Sequence, residues 1–404
     1  MIYKKNKLSI DGFDLEYLAK KYNTPLYCYS YKKIRENILN IKNNFKKISP
    51  LICFAVKSNT NIEILKEIKK FGLGADVVSI GELMKALKAG ISAKKIVFSG
   101  VGKTKTEIEY AINKKILLIN AESKSEILEI EKIAKSKNKM INIGLRLNPN
   151  TDAKTISQIS TGKKENKFGV DEKLFLNLVS YLKKSKYLNL KCLSVHIGSQ
   201  ILENRPYLKM LNVVNKIINK SNHEFEYIDL GGGIGIDYGH NNKDFNLKKY
   251  SMNIQKILKN KNSKIIFELG RSIIGDTAVL LSKIIYIKKG FKKNFIILDS
   301  GMNDFMRPAL YNAAHKIVPT KKNKNKSKRP YEFVGPICES TDKFTTVKNF
   351  QKLNEKNFVA ICDVGAYGTS LSSNYNIRPK PMEILIKSSK IKIIKKRQKL
   401  SDLM

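Results

Sequence analysis

Leu51-Ile52-Cys53-Phe54-Ala55-Val56-Lys57-Ser58-Asn59 is the stretch on which the fold turns. Its six leading apolar residues read as a short buried strand. Lys57 follows at once, so its amine stands at the carboxyl end of that strand. In parallel α/β sheets and barrels that end is where ligands bind. A lysine in partly desolvated surroundings has a lowered pKa and can form a Schiff base with a carbonyl compound. One lysine means little by itself in a chain with 76 Lys and Arg residues, most of which must be solvated surface. What sets Lys57 apart is its context.

Outward from this stretch the pattern repeats. From residue 30 to 275, short apolar runs alternate with amphipathic Lys/Glu-rich segments. Candidate strands are 51–56, 74–78, 96–99, 116–119, 141–147, 191–197, 226–230 and 265–268. The intervening 60–71, 81–89, 104–113 and 123–136 have helical spacing. Eight strands alternating with helices over this length predict an α/β fold, a (β/α)8 TIM-like barrel. After residue 276 the texture changes. Val279 to Ile287, Phe295 to Leu298, Tyr331 to Val334, Phe358 to Cys362 and Ile384 to Ile386 are β-rich, with Gly and Pro between them. Residues 276–404 are therefore expected to form a mainly β domain, joined by the strand-like Leu26-Tyr27-Cys28-Tyr29 from the first 29 residues. A length of 404 residues also favours two domains over one core.

Composition narrows the class. A hydrophobic share of 42% is that of a globular protein. No apolar stretch is long enough to span a bilayer. Met1-Ile2-Tyr3-Lys4-Lys5-Asn6-Lys7 leads into Asp11, Asp14 and Glu16 without the apolar core of a signal peptide, so a cytoplasmic protein is expected. Five scattered cysteines with no CxxC pair argue against a disulfide framework or structural zinc, and four histidines without HExxH give no metal signature. The net charge of +41 suggests nucleic acid at first sight. Yet only eight of the 76 basic residues are arginine, and lysine is spread along the whole chain beside Asn and Ile. Codon drift in an A/T-rich genome would produce that excess. The densest run, Lys321 to Arg329, contains no aromatic residue and reads as a solvated loop. Nonspecific attraction to polyanions at low salt is expected, a specific nucleic-acid site is not.

Several chemically loaded segments sit at the ends of the candidate barrel strands. Asp229-Leu230-Gly231-Gly232-Gly233-Ile234-Gly235 follows one, and its glycines would let backbone N–H groups approach a phosphate. It lacks the GK[ST] of a nucleotide-hydrolysing loop. Asp76, Arg146-Leu147-Asn148-Pro149, His196-Ile197-Gly198-Ser199-Gln200 and Glu268-Leu269-Gly270-Arg271 end four more. A histidine at a strand end is more often structural than not. Here, though, Lys, Arg, Asp, Glu and polyglycine converge on one barrel mouth. The second domain adds Asp299-Ser300-Gly301-Met302-Asn303-Asp304, Arg307-Pro308-Ala309-Leu310-Tyr311, Gly335-Pro336-Ile337-Cys338-Glu339-Ser340-Thr341-Asp342 and Gly365-Ala366-Tyr367-Gly368. Three of the eight arginines, 146, 271 and 307, fall in these segments, and arginine is the residue for bidentate carboxylate binding. Cys338 beside Glu339 has the chemistry of a proton donor, although a free cysteine is more commonly a small buried apolar residue.

Taken together, these segments resemble the diaminopimelate decarboxylases, in the alanine-racemase-like, fold-type III group of pyridoxal-phosphate enzymes. The likeness runs from Tyr22-Asn23-Thr24-Pro25-Leu26-Tyr27 to Arg378-Pro379-Lys380-Pro381-Met382-Glu383. It includes Asp152-Ala153-Lys154-Thr155, Ile159-Ser160-Thr161-Gly162 and Glu165-Asn166-Lys167-Phe168-Gly169. The resemblance implies that Lys57 holds pyridoxal 5'-phosphate, that His196 stacks on its ring and that Glu268 pairs with the pyridine nitrogen, keeping it protonated as an electron sink. It implies that Gly231, Gly232 and Gly233, with Ser199, Tyr367, Gly270 and Arg271, surround the cofactor, and that Asp76 and Arg146 orient the lysine and the ring hydroxyl. Arg271, Arg307, Tyr311, Glu339 and Tyr367 would hold the distal end of the amino-acid substrate, and Cys338 would return the proton after CO2 leaves. In this family Cys338 and Glu339 come from a partner subunit, which implies a head-to-tail homodimer with shared active sites. The implied reaction is decarboxylation of meso-2,6-diaminopimelate to L-lysine, the last step of lysine biosynthesis. A sister decarboxylase of arginine, ornithine or a carboxypolyamine, or a noncatalytic pyridoxal-phosphate carrier, are the alternatives. The paired arginines disfavour the first, and the second domain with Cys338 disfavours the carrier. Leu269, Ile80 and Thr341 depart from the family's usual Pro, Gly and Gly. Leu269 is expected to affect stability, and Thr341 to narrow the approach to Cys338.

Overall fold

The computed structural model describes every residue except 153–160, 163–164, 240–243 and 260. Ala153-Lys154-Thr155 and Ile159-Ser160 of the family-like segments lie outside the described residues. The chain forms two compact units. One comprises Ile38–Ile236 and Lys243–Ser272, the other Met1–Asn37, Asp237–Asn242 and Ile273–Met404.

The first unit is a closed barrel of eight parallel strands: Leu51–Ala55, Gly74–Val77, Ile96–Phe98, Leu118–Ala121, Ile141–Arg146, Leu188–Ser194, Tyr227–Asp229 and Lys264–Leu269. The last strand pairs in parallel with the first, Ile266 beside Leu51 and Leu269 beside Phe54, so no edge remains. Cys53, Val97, Leu118, Cys192 and Ile266 pack together inside it. The helices begin where serine, threonine, asparagine or aspartate caps their first turn. Ser79 accepts from the Glu82 N–H ahead of Ile80–Lys88, Ser123 from the Glu126 N–H ahead of Lys124–Ser136, and Thr104 forms a reciprocal capping box with Glu107. Each cap therefore ends a connection at the carboxyl side of a strand, where the functional residues lie.

Two expected strands are displaced in the structure. The segment anticipated at 116–119 pairs as Leu118–Ala121, and the one at 191–197 pairs as Leu188–Ser194. In the first case a wholly buried polar residue, Asn120, continues the strand beyond the apolar run. In the second, Leu188 and Leu190 point inward around an exposed Asn189, and a register shift between Leu190 and Cys192 breaks the alternation.

The second unit is built on a sheet whose long strand Ala278–Lys289 pairs antiparallel with Asn294–Leu298, Phe358–Cys362 and Leu26–Ser30. Leu26–Ser30 also pairs in parallel with Met382–Lys387, which continues antiparallel to Lys390–Lys395. Tyr331–Val334 runs parallel to Asn294–Leu298 and antiparallel to Lys343–Val347, and Ile317–Pro319 borders Phe358–Cys362. Leu8, Leu15, Leu18, Leu26, Val279 and Ile384 belong to its core. All five residues of Leu26–Ser30 are buried, as befits a strand with neighbours on both edges.

Candidate active site

Lys57 sits in a single 3-10 turn, Val56–Ser58, directly after the first barrel strand. Its Nζ lies 2.7 Å from Oδ2 of Asp76, a residue of the next strand with no exposed surface. The other oxygen of Asp76 is buried without a hydrogen-bond partner among the described residues. Gly270 makes the turn possible from the far side: a Cβ there would meet Cβ and Oγ of Ser58 at 2.9 Å. Leu269, where a proline is usual, is the last residue of its strand, nearly fully buried beside Phe54.

Arg146 ends the fifth strand and is buried. Its Nη1 donates to Oε1 of Glu122 at 2.9 Å, and the guanidinium lies 4.8 Å from the ring centre of Phe168. Its Nη2 is buried and has no hydrogen-bond partner among the described residues. Glu122, itself buried, accepts in addition from the N–H of Gly100 at 3.0 Å and of Gly169 at 3.1 Å. The sequence reading did not single out Glu122. It follows the strand whose bounds were set two residues short, so its place at the mouth was hidden.

His196 follows the sixth strand. The N–H of Gly232 donates to its Nδ1 at 3.1 Å. An accepting nitrogen carries no proton, so the neutral ring bears its hydrogen on Nε2. Burial, then the positive charges of Arg146 and Lys57, push the imidazole well below its ordinary value, which keeps it neutral. Ser199, on the same loop, accepts from Nη2 of Arg271 at 3.1 Å.

The glycine loop is closed up against its neighbours. A Cβ on Gly231 would lie 2.6 Å from Nδ1 of His196, on Gly232 1.9 Å from the Glu268 carbonyl, and on Gly233 2.1 Å from the Gly198 carbonyl. Gly231 and Gly233 also have φ of +65° and +90°, where side chains are disfavoured. Tyr207 anchors the loop with a 2.8 Å bond to the Gly232 carbonyl. The N–H of Gly231 is taken by Asp229 at 2.9 Å and that of Gly232 by His196. What these two glycines allow is the close approach of the loop to its neighbours, and their N–H groups serve that packing.

Glu268 lies on the last strand, buried, with Oε1 accepting from Ser99 Oγ at 2.9 Å. It is hydrogen-bonded to Asp229, and the two carboxyls are tightly linked. Burial pushes Asp229 up to about 6; burial, then the charges of Asp229 and Asp76, pushes Glu268 well above its ordinary value. Asp229 accepts from Gly231 N–H and from Asn120 Nδ2 at 3.1 Å, so it is the member that ionises and Glu268 the one that keeps the proton. Ser99, Asn120 and Asp229 form a polar layer beneath the mouth, and none had been assigned a role from sequence. Small polar residues within a strand leave no periodic signal.

The barrel residues fit pyridoxal phosphate. A primary amine stands beside a buried carboxylate with an unused oxygen. A neutral imidazole ends another strand of the same barrel, and the glycine loop packs so tightly on its neighbours that it can carry no side chain. A pyridinium nitrogen brought against Glu268 would supply the positive charge that its burial now denies it.

The remaining candidates belong to the other unit. Arg307 and Tyr311 open and close the helix Arg307–Tyr311, one turn apart, and Arg307 is buried. Tyr367 takes φ +56° in a turn beside Gly365, where a Cβ would lie 1.9 Å from the Ile274 carbonyl. Cys338 is exposed, whereas Cys28, Cys53, Cys192 and Cys362 are buried and their thiols pushed up by burial. The commoner fate of a free cysteine thus applies to four of the five and not to Cys338. Glu339 is exposed too; Tyr375 and Thr341 donate to its two oxygens and hold it below the usual carboxylate range. Thr341 therefore acts on Glu339. The loop is clamped by Asp342, which accepts from the N–H groups of Ile337 and Met302, both at 2.7 Å. Ile80 opens a barrel helix, its N–H donating to Glu107 Oε1 at 2.9 Å.

Residues 31–275 match the family described as pyridoxal-dependent decarboxylase, pyridoxal binding domain. The diaminopimelate decarboxylase of Helicobacter pylori strain J99 is 44% identical over 97% of both chains. A crystal structure of the Helicobacter pylori enzyme complexed with L-lysine superposes with a TM-score of 0.92 at 43% identity, covering 96% of this chain and 98% of that one. That of M. jannaschii diaminopimelate decarboxylase in co-complex with L-lysine gives 0.93 at 35% identity, over 99% and 95%. Likeness of this extent covers both units, and the chain belongs to the diaminopimelate decarboxylase family of pyridoxal-dependent decarboxylases.

Proposed function

We propose that the protein decarboxylates meso-2,6-diaminopimelate to L-lysine and CO2, with pyridoxal 5'-phosphate as cofactor. The observation that carries this is the likeness to diaminopimelate decarboxylases along nearly the whole length of both chains. The cofactor, when bound, supplies a sink for the electron pair left on Cα as CO2 departs. Lys57 would hold the cofactor through its amine, which Asp76 fixes by its 2.7 Å contact. His196, kept neutral, would lie against the cofactor ring without adding charge, and Glu268 would pair with the ring nitrogen. Arg146, tied to Glu122, holds the edge of the site.

Because the product is L-lysine, the carbon that loses CO2 is the D centre and the distal end has L configuration. That end carries an ammonium and a carboxylate. Glu339, held ionised, suits the ammonium; Arg307 and Arg271 suit the carboxylate. These contacts touch no reacting bond. By holding the distal end they would fix the orientation of the Cα–carboxylate bond that breaks, which turns binding into rate. Cys338 then delivers its thiol proton to Cα and is reprotonated from solvent. Its exposure on the subunit surface, with that of Glu339, supports a homodimer in which each subunit completes the other's site. Scattered free cysteines support a cytoplasmic location, and no helix among the described residues is long and apolar enough to cross a membrane.

The test is product analysis of cofactor-loaded protein given meso-diaminopimelate, ornithine and arginine in parallel. Lysine and CO2 from the first alone is the expected result. Turnover of either other substrate in preference would move the function to a sister decarboxylase.

A further inference from the structure

His315 lies eight residues beyond Arg307, on the approach to the strand Ile317–Pro319, and is 2% exposed. Its Nδ1 is 2.9 Å from the carbonyl oxygen of Cys362. A carbonyl can only accept, so Nδ1 carries the hydrogen. Its Nε2 is 2.7 Å from Nη1 of Arg307. A guanidinium can only donate, so Nε2 must present its lone pair. The two contacts demand the same neutral tautomer, and neither could be made by the other one. The ring is gripped edge-on by Phe305 at 4.6 Å and Tyr238 at 4.7 Å. Tyr238 also accepts from Nη1 of Arg307 at 2.8 Å and lies under the guanidinium at 4.8 Å.

We propose that His315 is a positioning residue for substrate selection: the lone pair on its Nε2 fixes the Arg307 guanidinium as receptor for the substrate's distal carboxylate. This rests on the reading above that Arg307 takes that carboxylate. The choice of a neutral acceptor matters. Buried arginines are commonly held by carboxylates, which fix them and cancel their charge together. His315 and Tyr238 both accept from Nη1 and fix the fork without themselves adding a negative charge beside it. Cys362, at the end of the strand Phe358–Cys362, anchors the ring through its main chain, so the arrangement is referenced to the sheet.

The test uses the cofactor-loaded protein with His315→Asn, His315→Gln, His315→Glu and Arg307→Ala. Asparagine can reach Cys362 but offers nothing where Nε2 stood, while glutamine places an amide oxygen there. Glutamate holds the arginine but adds a negative charge against it. The substrates are meso-diaminopimelate and D-lysine, which is the same molecule without its distal carboxylate. The affinity for L-lysine, which retains that carboxylate, is measured by calorimetry.

In His315→Asn, kcat/KM for diaminopimelate should fall about 10- to 100-fold, the scale of a hydrogen bond to a charged group, with D-lysine turnover nearly unchanged. L-lysine affinity should weaken to a similar degree. His315→Gln should stay close to wild type, and His315→Glu should lose selectivity like the asparagine variant. A parallel fall for both substrates would mean His315 only supports packing and would overturn the proposal. If His315→Asn fails to fold, the Gln/Glu pair decides, since equal selectivity in those two overturns it. Selectivity lost in Arg307→Ala but kept in His315→Asn sinks the role of His315 alone; selectivity kept in Arg307→Ala sinks the reading of Arg307 as well.

Discussion

Replacing Glu122 by alanine should unseat one wall of the barrel mouth. Both its oxygens are committed: Oε1 to Arg146 and Gly100, Oε2 to Gly169. The side chains of the pair are 8% and 2% exposed for Arg146 and Glu122, so water does not replace the lost partner cheaply. Removing one member of a buried ion pair leaves an uncompensated charge worth about 3–5 kcal/mol. Two orphaned N–H groups would each add about 1–3 kcal/mol if the cavity stays dry. Some water will enter, so the net loss is expected near the charge term, about 4 kcal/mol, a large part of the roughly 5–15 kcal/mol typical of a folded protein. Glu122→Gln keeps an oxygen for Arg146 and Gly100 but turns an amide N–H toward Gly169. It should lose about 1–3 kcal/mol. Thermal and denaturant unfolding of the loaded protein, with a cofactor-dissociation titration beside it, measures the series. Alanine within about 1 kcal/mol of wild type, or glutamine worse than alanine, would refute the argument that Glu122 neutralises and orients Arg146.

Lys57→Ala should abolish the visible absorbance of the lysine-bound cofactor while circular dichroism remains native; retained absorbance would remove Lys57 from that role. Cys338→Ala should keep L-lysine binding and lose turnover, and near-wild-type turnover would take the thiol out of the proton step. Mixing Lys57→Ala and Cys338→Ala subunits should restore about a quarter of wild-type activity at equal amounts, since half the dimers are hybrids with one intact site in two; no recovery after verified exchange would refute shared sites. Burial pushes Asp363 up to about 7, so between the ordinary carboxyl range and that value the folded state holds a proton the unfolded state has released, and stability falls as pH rises. Asp363→Asn, which suits the φ of +60° there, should unfold at a higher temperature than wild type above pH 7 and show no advantage in acid; an advantage equal at every pH would contradict the assignment.

The barrel was legible because its strands are short apolar runs, each followed by a cap and an amphipathic helix. Lys57, Asp76, Arg146, His196, the glycines and Glu268 stood out because charged or glycine residues interrupt that pattern at the ends of strands. Glu122, Ser99 and Asn120 did not stand out. Asn120 lies inside a strand, where a polar residue looks like the end of one, and Glu122 was displaced with it. Asp342 lay within a quoted segment, but its clamp on Ile337 and Met302 joins positions forty residues apart, which no local pattern reports. The contact of the Thr341 hydroxyl with Glu339 at 3.0 Å joins residues two apart in a loop, where no periodic pattern announces it. The tautomer of His315 likewise depends on partners from two other segments.

The strand Leu26–Ser30 has a consequence for synthesis. It is made among the first residues, yet one of its two partners, Met382–Lys387, is made among the last. At about 5–20 residues per second, a ribosome takes roughly 20–70 s to bridge that gap. For most of that time a five-residue strand that is buried in the folded sheet is out of the tunnel with one edge certain to lack its neighbour, the state in which strands recruit other chains. The barrel, whose strands all lie between residues 51 and 269, can close well before translation ends. A nascent chain stalled short of residue 382 should therefore carry a folded barrel beside an open sheet, and holdase chaperones should bind it at residues 26–30.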